Sequence, residues 1–218
     1  TCSEGCLRST LGREVVQVTI PEGWNRFQIA SRMANVGVVR NERAFLDATE
    51  DPEVARTLGI GDLPMEGYLF PDTYEFHRDE DPGFVVWTMV KVFRRRMGTV
   101  VTAHPKGLDA LEKLGGDPER VAVILASIVE MEASKASERK LVSSVFLNRL
   151  ILKEFPTRRL QADPTVSYGC LAARPVPDSC EDFDGKLHKV QLEDSTNPYN
   201  TYVHSGLPPG PICNPGAS

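Results

Sequence analysis

The chain has 218 residues, 41% of them hydrophobic and 25% charged, with a formal net charge of -5. That is an ordinary globular composition with enough chain for one large domain or two small ones, and its acidic balance argues against nucleic acid as the main partner, because phosphate binding needs a basic face. No run approaches the ~18 apolar residues of a membrane span, and no signal-peptide pattern opens at Thr1.

Residues 1–13 read as a polar leader or linker carrying Cys2 and Cys6. Val16, Val18 and Ile20 then alternate with Gln17 and Thr19, the pattern of a half-buried strand, and Pro21-Glu22-Gly23 turns the chain. Asn25 with Gln28 three residues on forms a capping-box start for a helix carrying Phe27, Ile29, Ala30, Met33 and Ala34, stopped at Gly37. A second short helix fits Asn41 to Thr49, with Asn41 as its cap and Phe45 and Leu46 inward. The stretch EGYLFPDTYEF, Glu66 to Phe76, is aromatic and β-prone but broken by Pro71, so an edge or bent strand is expected. Its aromatic side chains suit core packing first and a sugar-binding cleft second. From Asp81 to His104 the spacing of Phe84, Trp87, Met89, Val90, Phe93 and Met97 predicts a long amphipathic helix with Arg94-Arg95-Arg96 on its solvated face, and a shorter helix follows from Leu108 to Leu114.

The stretch from Glu119 to Leu152 organises the rest. Val121 to Val129 is an apolar run too long for an ordinary strand, so a buried helix is expected, and it ends in two glutamates, Glu130 and Glu132. At 100° per residue, Glu130 falls with Val123, Ala126 and Ser127, whereas Glu132 falls with Val121, Leu125 and Ile128. Small neighbours leave room above the Glu130 carboxyl, and apolar flanks disfavour its ionised form, as general-acid work requires. A solvated helix-end glutamate or an ion pair is the alternative. Ser137 is expected to cap a partner helix with Leu141, Val145 and Leu152 on its inward face and Asn148 buried in that row, as a backbone bracket or an aid to the carboxyl.

Beyond Pro156 the periodicity fades. QADPTVSYG, Gln161 to Gly169, groups polar and aromatic residues about a proline turn, and Ser195 to Gly216 is rich in Pro, Gly and Asn. Interleaved amides, hydroxyls and aromatics suit a polar sugar with apolar faces. The five cysteines, Cys2, Cys6, Cys170, Cys180 and Cys213, show no CxxC or Cys/His pattern, so no metal or other cofactor is expected. Cys170 and Cys180 flank a Pro-rich loop and fit either a disulfide or two free thiols.

The stretches EGYLFPDTYEF, ILASIVEMEA, SERKLVSSVFLNRL, LQADPTVSYG and YNTYVHSGLPPGPICNPG, in this order and covering most of residues 15 to 217, resemble the endolytic murein transglycosylases of the MltG (YceG-like) family. The resemblance implies an α+β fold, with a small LysM-like module over 14–65 and a larger, mostly helical catalytic domain over 66–218 whose C-terminal side holds irregular and β segments. It implies cleavage of the β-1,4 MurNAc-GlcNAc bond inside peptidoglycan glycan strands, leaving 1,6-anhydroMurNAc ends, with one glutamate acting as acid and then base. Glu130 takes that place in the matching motif. Glu132 is then a structural acid expected to pair with Arg139 or Arg149, with Ser127 and Asn148 as further support. Gln161, Asp163, Thr165, Tyr168, Tyr199, Asn200, Tyr202 and Pro208 are implied for the cleft or for bracing its wall, Gln161, Asn200 and Tyr202 foremost.

By the same resemblance the protein works on the outer, periplasmic side of the cytoplasmic membrane, tethered there by a helix absent from this sequence, with peptidoglycan strands as substrate and peptidoglycan synthases as partners. Family members continue past the NPG motif, so a truncated C-terminal lobe is expected. Competing expectations are a noncatalytic peptidoglycan-binding or scaffold protein of the same fold, and a hydrolase pairing Glu130 with Asp163.

Overall fold

The computed structural model describes residues 14–61 and 63–217. The polar leader, with Cys2 and Cys6, lies outside the described residues. Two apolar cores share one central helix.

The first core begins at β1 (Val15–Thr19), which turns at Gly23 and enters α1 (Arg26–Asn35). The expected capping box is formed. Asn25 Oδ1 accepts from the backbone N–H of Phe27 and Gln28, and the Gln28 side chain accepts from Asn25 N, satisfying amides that a helix start leaves open. Asn41 Oδ1 caps α2 (Glu42–Thr49) by accepting from Ala44 N alone, and a further short helix, α3 (Pro52–Thr57), is capped by Asp51 with Pro52 in its first turn. β2 (Thr73–His77) then pairs antiparallel with β1, Val18 opposite Tyr74 and Val16 opposite Phe76. Only the second half of EGYLFPDTYEF is strand. Its aromatics are buried, Tyr68, Phe70, Tyr74 and Phe76 among them, and Tyr74 Oη donates to Phe70 O. α4 (Pro82–Ala103) closes this core with Val85, Val86, Met89, Val90 and Phe93, while Phe84 and Trp87 stack on each other at the surface side. The Arg run is partly engaged rather than simply solvated, since Arg94 pairs with Glu119 and Arg96 with Asp72.

After α5 (Gly107–Leu111) and a 3-10 turn, α6 (Pro118–Glu132) runs between the cores. Val123 belongs to the first core, and Val121, Ile124, Leu125, Ile128 and Val129 to the second. A helix apolar nearly all round is one with neighbours on every side. Against it pack α7 (Arg139–Ile151) and α8 (Asp163–Ala172), and the short α9 (Lys189–Glu193) packs on α8. The two cores meet tightly at Gly67, whose φ is +87° and where a Cβ would sit 2.6 Å from Pro211 and 2.7 Å from Val123.

The α+β expectation holds: about half of the described residues are helical, with one two-stranded sheet. Four details differ. Among the described residues no strand follows His77, so the β segments expected on the C-terminal side are turns. The β1 partner strand and α4 both belong to the first core, so a boundary at residue 65 cuts through a packed unit. QADPTVSYG is helix rather than turn from Asp163 onward, its proline falling in the first turn, where no N–H is needed. Ser137 lies in a 3-10 turn and does not cap α7, whose buried residues are Phe146 and Leu150. Leu141, Val145, Leu152 and Asn148 face solvent instead.

Cys170 and Cys180 form a disulfide across the Pro-rich loop, with Cα atoms 5.1 Å apart. Closing a loop of this length is worth about 3 kcal/mol through the unfolded chain. Cys170→Ser is expected to lower the unfolding free energy by about that amount in urea titration, and reducing the parent protein should lower it equally.

Candidate functional site

The last turn of α6 presents its two glutamates to different surroundings, as residues two apart on a helix must. Glu130 is enclosed. Arg139 Nη2 donates to its Oε1 at 2.8 Å, Gly216 N donates to its Oε2 at 3.4 Å, and the same Arg139 nitrogen lies 3.1 Å from Glu22. The Glu130 side chain is 10% exposed and that of Arg139 16%. The small residues on this face admit backbone, namely the Gly216 segment and the Gly23 turn, whose Cβ position lies 3.6 Å from Glu130 Cγ. Burial raises the Glu130 pKa and the Arg139 charge opposes that rise. Arg139 thus goes to Glu130, and of the two arginines expected for Glu132 it is Arg149 that shares its surroundings.

Glu132 opens into a recess of about 230 Å³ formed with Val142, Val145, Phe146 and Arg149 of α7 and with Gln161. Desolvation by these apolar walls raises its pKa, the Asp163 carboxylate adds to the rise, and Arg149 opposes it. Asp163, at the start of α8, accepts a 2.6 Å hydrogen bond from Tyr202 Oη, and burial together with the Asp163 charge pushes the Tyr202 hydroxyl up to about 12. Arg149 donates to Leu160 O, fixing the chain just before Gln161, which has φ +54° and donates its N–H to Thr201 O. A non-glycine residue in that region is held there by its surroundings.

Gln161 and Glu132 therefore line one recess, and the hydrogen-bonded pair of Asp163 and Tyr202 lies close enough for its charge to act on Glu132. Other expected site residues do not. Asn200 is fully buried, its amide donating to Gln191 O, Leu192 O and Asp194 O and its carbonyl accepting from Tyr202 N, so it shapes the loop that carries Tyr202. Thr165 is buried against Thr201 and Ala162 O. Ser127 is buried, donating to Ile124 O and accepting from Ile212 N, which straps the C-terminal segment to α6. Asn148 is exposed on α7 rather than buried. Tyr168 is buried with its ring edge-on to Tyr199, and its hydroxyl donates to Glu66 at 2.9 Å.

Sequence patterns alone pass over Glu66. It is 1% exposed and also accepts from Arg26 N at the start of α1 and from Asn214 Nδ2 at 2.7 Å. It ties α1, α8 and the C-terminal segment at one carboxylate, and burial raises its pKa to about 7 against the pull of these donors. An acid set between Met65 and the apolar run after Gly67 is the signal for such a bracket, because a buried carboxylate needs several donors. Among the described residues no three His, Cys, Asp or Glu side chains group to hold a metal ion, and no helix is long and apolar enough to cross a membrane.

Comparison with known proteins places this arrangement in a family. An endolytic murein transglycosylase of Bacillus subtilis (strain 168) is 37% identical over 157 residues, covering 71% of this chain and 37% of that protein. One of Streptococcus pneumoniae serotype 2 (strain D39 / NCTC 7466) is 27% identical over 226 residues, covering 91% of this chain and 36% of that protein. The chain thus spans little more than a third of the length of the curated relatives it matches. Its fold superposes on the crystal structure of a YceG-like protein of Listeria monocytogenes with a TM-score of 0.72 at 30% identity, over 96% of this chain and 66% of that one. With the family pattern matched from residue 5 to residue 218, the chain belongs to the YceG-like family.

Proposed function

We propose that this chain is the strand-cleaving part of an endolytic peptidoglycan transglycosylase, with Glu132 as its acid and base. The observation that carries the reading is geometric: Glu132 lines an open recess with no ion pair closing off its carboxylate among the described residues, beside groups that can hold a sugar, whereas both glutamates have a raised pKa. The naming of the Bacillus and Streptococcus relatives as endolytic murein transglycosylases supports the reaction class. Glu130 stands where the motif resemblance puts the catalytic residue, but its carboxylate is already occupied by Arg139 and the Gly216 amide. We therefore assign Glu130 to the framework and the chemistry to Glu132.

In this reading protonated Glu132 donates to the bridging O4 of GlcNAc as the C1–O4 bond of MurNAc breaks. The resulting carboxylate then takes the proton of the same MurNAc 6-hydroxyl, whose oxygen bonds to C1. The glycosidic bond is exchanged for an internal 1,6-anhydro bond, no water is consumed, and Glu132 ends protonated. Desolvation and the Asp163 charge both favour the protonated form of Glu132, while Gln161 and Tyr202 supply hydrogen bonds to hydroxyl or N-acetyl groups. The part expected of a LysM-like module, holding the glycan, falls in this reading to the whole first core, its two strands and the helices α1 to α4, and the remainder forms the catalytic region. Peptidoglycan as substrate places the work outside the cytoplasmic membrane, with a tether in the parent protein and peptidoglycan synthases as neighbours.

The test is mass spectrometry of purified glycan strands incubated with the protein. Internal fragments ending in 1,6-anhydroMurNAc are expected. Reducing ends instead would assign a hydrolase pairing Glu132 with Asp163, whose charge acts on it directly. Strand binding without fragments would assign the noncatalytic reading.

A further inference from the structure

The loop over residues 157–161 borders two recesses, not one. It holds two non-glycine residues at positive φ, Arg158 at +50° and Gln161 at +54°. Both are fixed by the facing segment, since Gly206 N donates to Arg158 O at 2.8 Å and Gln161 N to Thr201 O at 3.1 Å. Such backbone is disfavoured for a residue with a Cβ and persists only where surroundings enforce it. Its effect here is to put Gln161 on the Glu132 recess and Arg158 on a second recess of about 370 Å³.

This second recess is cationic in a chain whose net charge is -5. Lys113, Arg120 and Arg158 reach it from three separate segments, against one carboxylate, Asp117. Arg120 is steadied by donating to Pro209 O. Among the described residues no carboxylate forms an ion pair with Lys113 or Arg158. The rest of the wall is aliphatic, with Ile124, Leu150 and Leu207. Cations over an aliphatic wall fit an amino-acid residue ending in a carboxylate, whereas a bare phosphate would leave the wall unused. Arg120 and Glu132 both lie on α6, about 18 Å apart along its axis, a distance that an extended peptide of about five residues spans.

We propose that this recess binds the carboxylate end of a peptide branch carried by the strand being cut, with Arg158 and Lys113 on the carboxylate and Leu150 and Leu207 against the adjoining side chain. The proposal rests on the strand-cleaving reading and adds to it a preference for peptide-bearing over peptide-free strands.

Two measurements on the 218-residue chain test it separately from that reading. In titration calorimetry with a free peptide of about five residues that ends in an aliphatic residue with a free carboxylate, the double variant Lys113→Ala/Arg158→Ala is expected to bind at least tenfold more weakly than the parent. In kinetics, the ratio of kcat/KM on peptide-bearing to peptide-free strands should fall about tenfold in the same variant. Unchanged peptide affinity, or equal losses on both strands, overturns the proposal. Inorganic phosphate binding more tightly than the peptide also overturns it, by giving the recess to a phosphate group. Peptide binding that depends on Lys113 and Arg158 in a protein that cuts no strand would uphold the recess while sinking the cleavage reading. Circular dichroism of the variant confirms that it folds.

Discussion

Glu132→Gln is expected to remove roughly 10²–10⁴-fold of turnover, the usual worth of a positioned acid-base group, while leaving the unfolding midpoint nearly unchanged. Gln keeps the size and polarity of the side chain but can neither donate a labile proton nor take one up. Glu130→Gln should do the reverse. It breaks a charge-assisted bond to Arg139 inside a nearly closed cluster, so stability falls by about 1–2 kcal/mol, while turnover stays within roughly tenfold of the parent. A complete loss of turnover in a folded Glu130→Gln protein with an active Glu132→Gln would return the chemistry to Glu130. The pH profile adds a second readout. Because burial and the Asp163 charge raise the Glu132 pKa, protonated acid persists above the usual glutamate range, and the basic limb of kcat/KM should lie correspondingly high. Asp163→Asn removes a negative neighbour, so that limb should move to lower pH.

The difference between these two glutamates also shows what a linear chain conceals. Both are visible as a helix end, and the 100° rule correctly sends them to different faces. Small neighbours at Glu130 read as room for a ligand, but that room is taken by Gly216, 86 residues further along the chain. No local pattern reports a contact of that separation. The capping box at Asn25 and the alternation in β1 are legible because a few adjacent residues decide them. α7 lies between these cases. Leu141, Val142, Val145, Phe146, Leu147 and Leu150 cover much of its circumference, so the sequence predicts a helix without saying which arc meets α6, and the arc through Leu141 and Asn148 is the outer one. Proline misleads at α8, where Pro164 begins a helix that it would break from a position deeper inside. Asn200 and Tyr168 suggest a sugar site by their hydrogen-bonding groups, and those groups are spent inside the wall.

Glu66 should govern the pH dependence of folding between about pH 4.5 and 7. Two opposing effects meet there. Four donors, Arg26 N, Gly67 N, the Tyr168 hydroxyl and the Asn214 amide, favour the carboxylate, whereas complete burial disfavours it and prevails, raising the pKa from 4.5 to about 7. In the unfolded chain the proton leaves near the ordinary value. The folded state thus holds a proton that the unfolded state has already released, and the stability this confers is complete below about pH 4.5 and is lost as pH rises through about 7. The span corresponds to on the order of 3 kcal/mol. Urea titrations at several pH values between these limits should show the parent losing that much relative to Glu66→Gln, whose side chain does not titrate. Glu66→Ala should cost more than about 3 kcal/mol across the range, because it strands buried donors from α1, α8 and the C-terminal segment together. Parallel pH curves for the parent and Glu66→Gln would mean that the donors outweigh burial and that the carboxylate is ionised throughout. Glu66 would then be a plain bracket between the two cores, with no part in how the protein responds to pH.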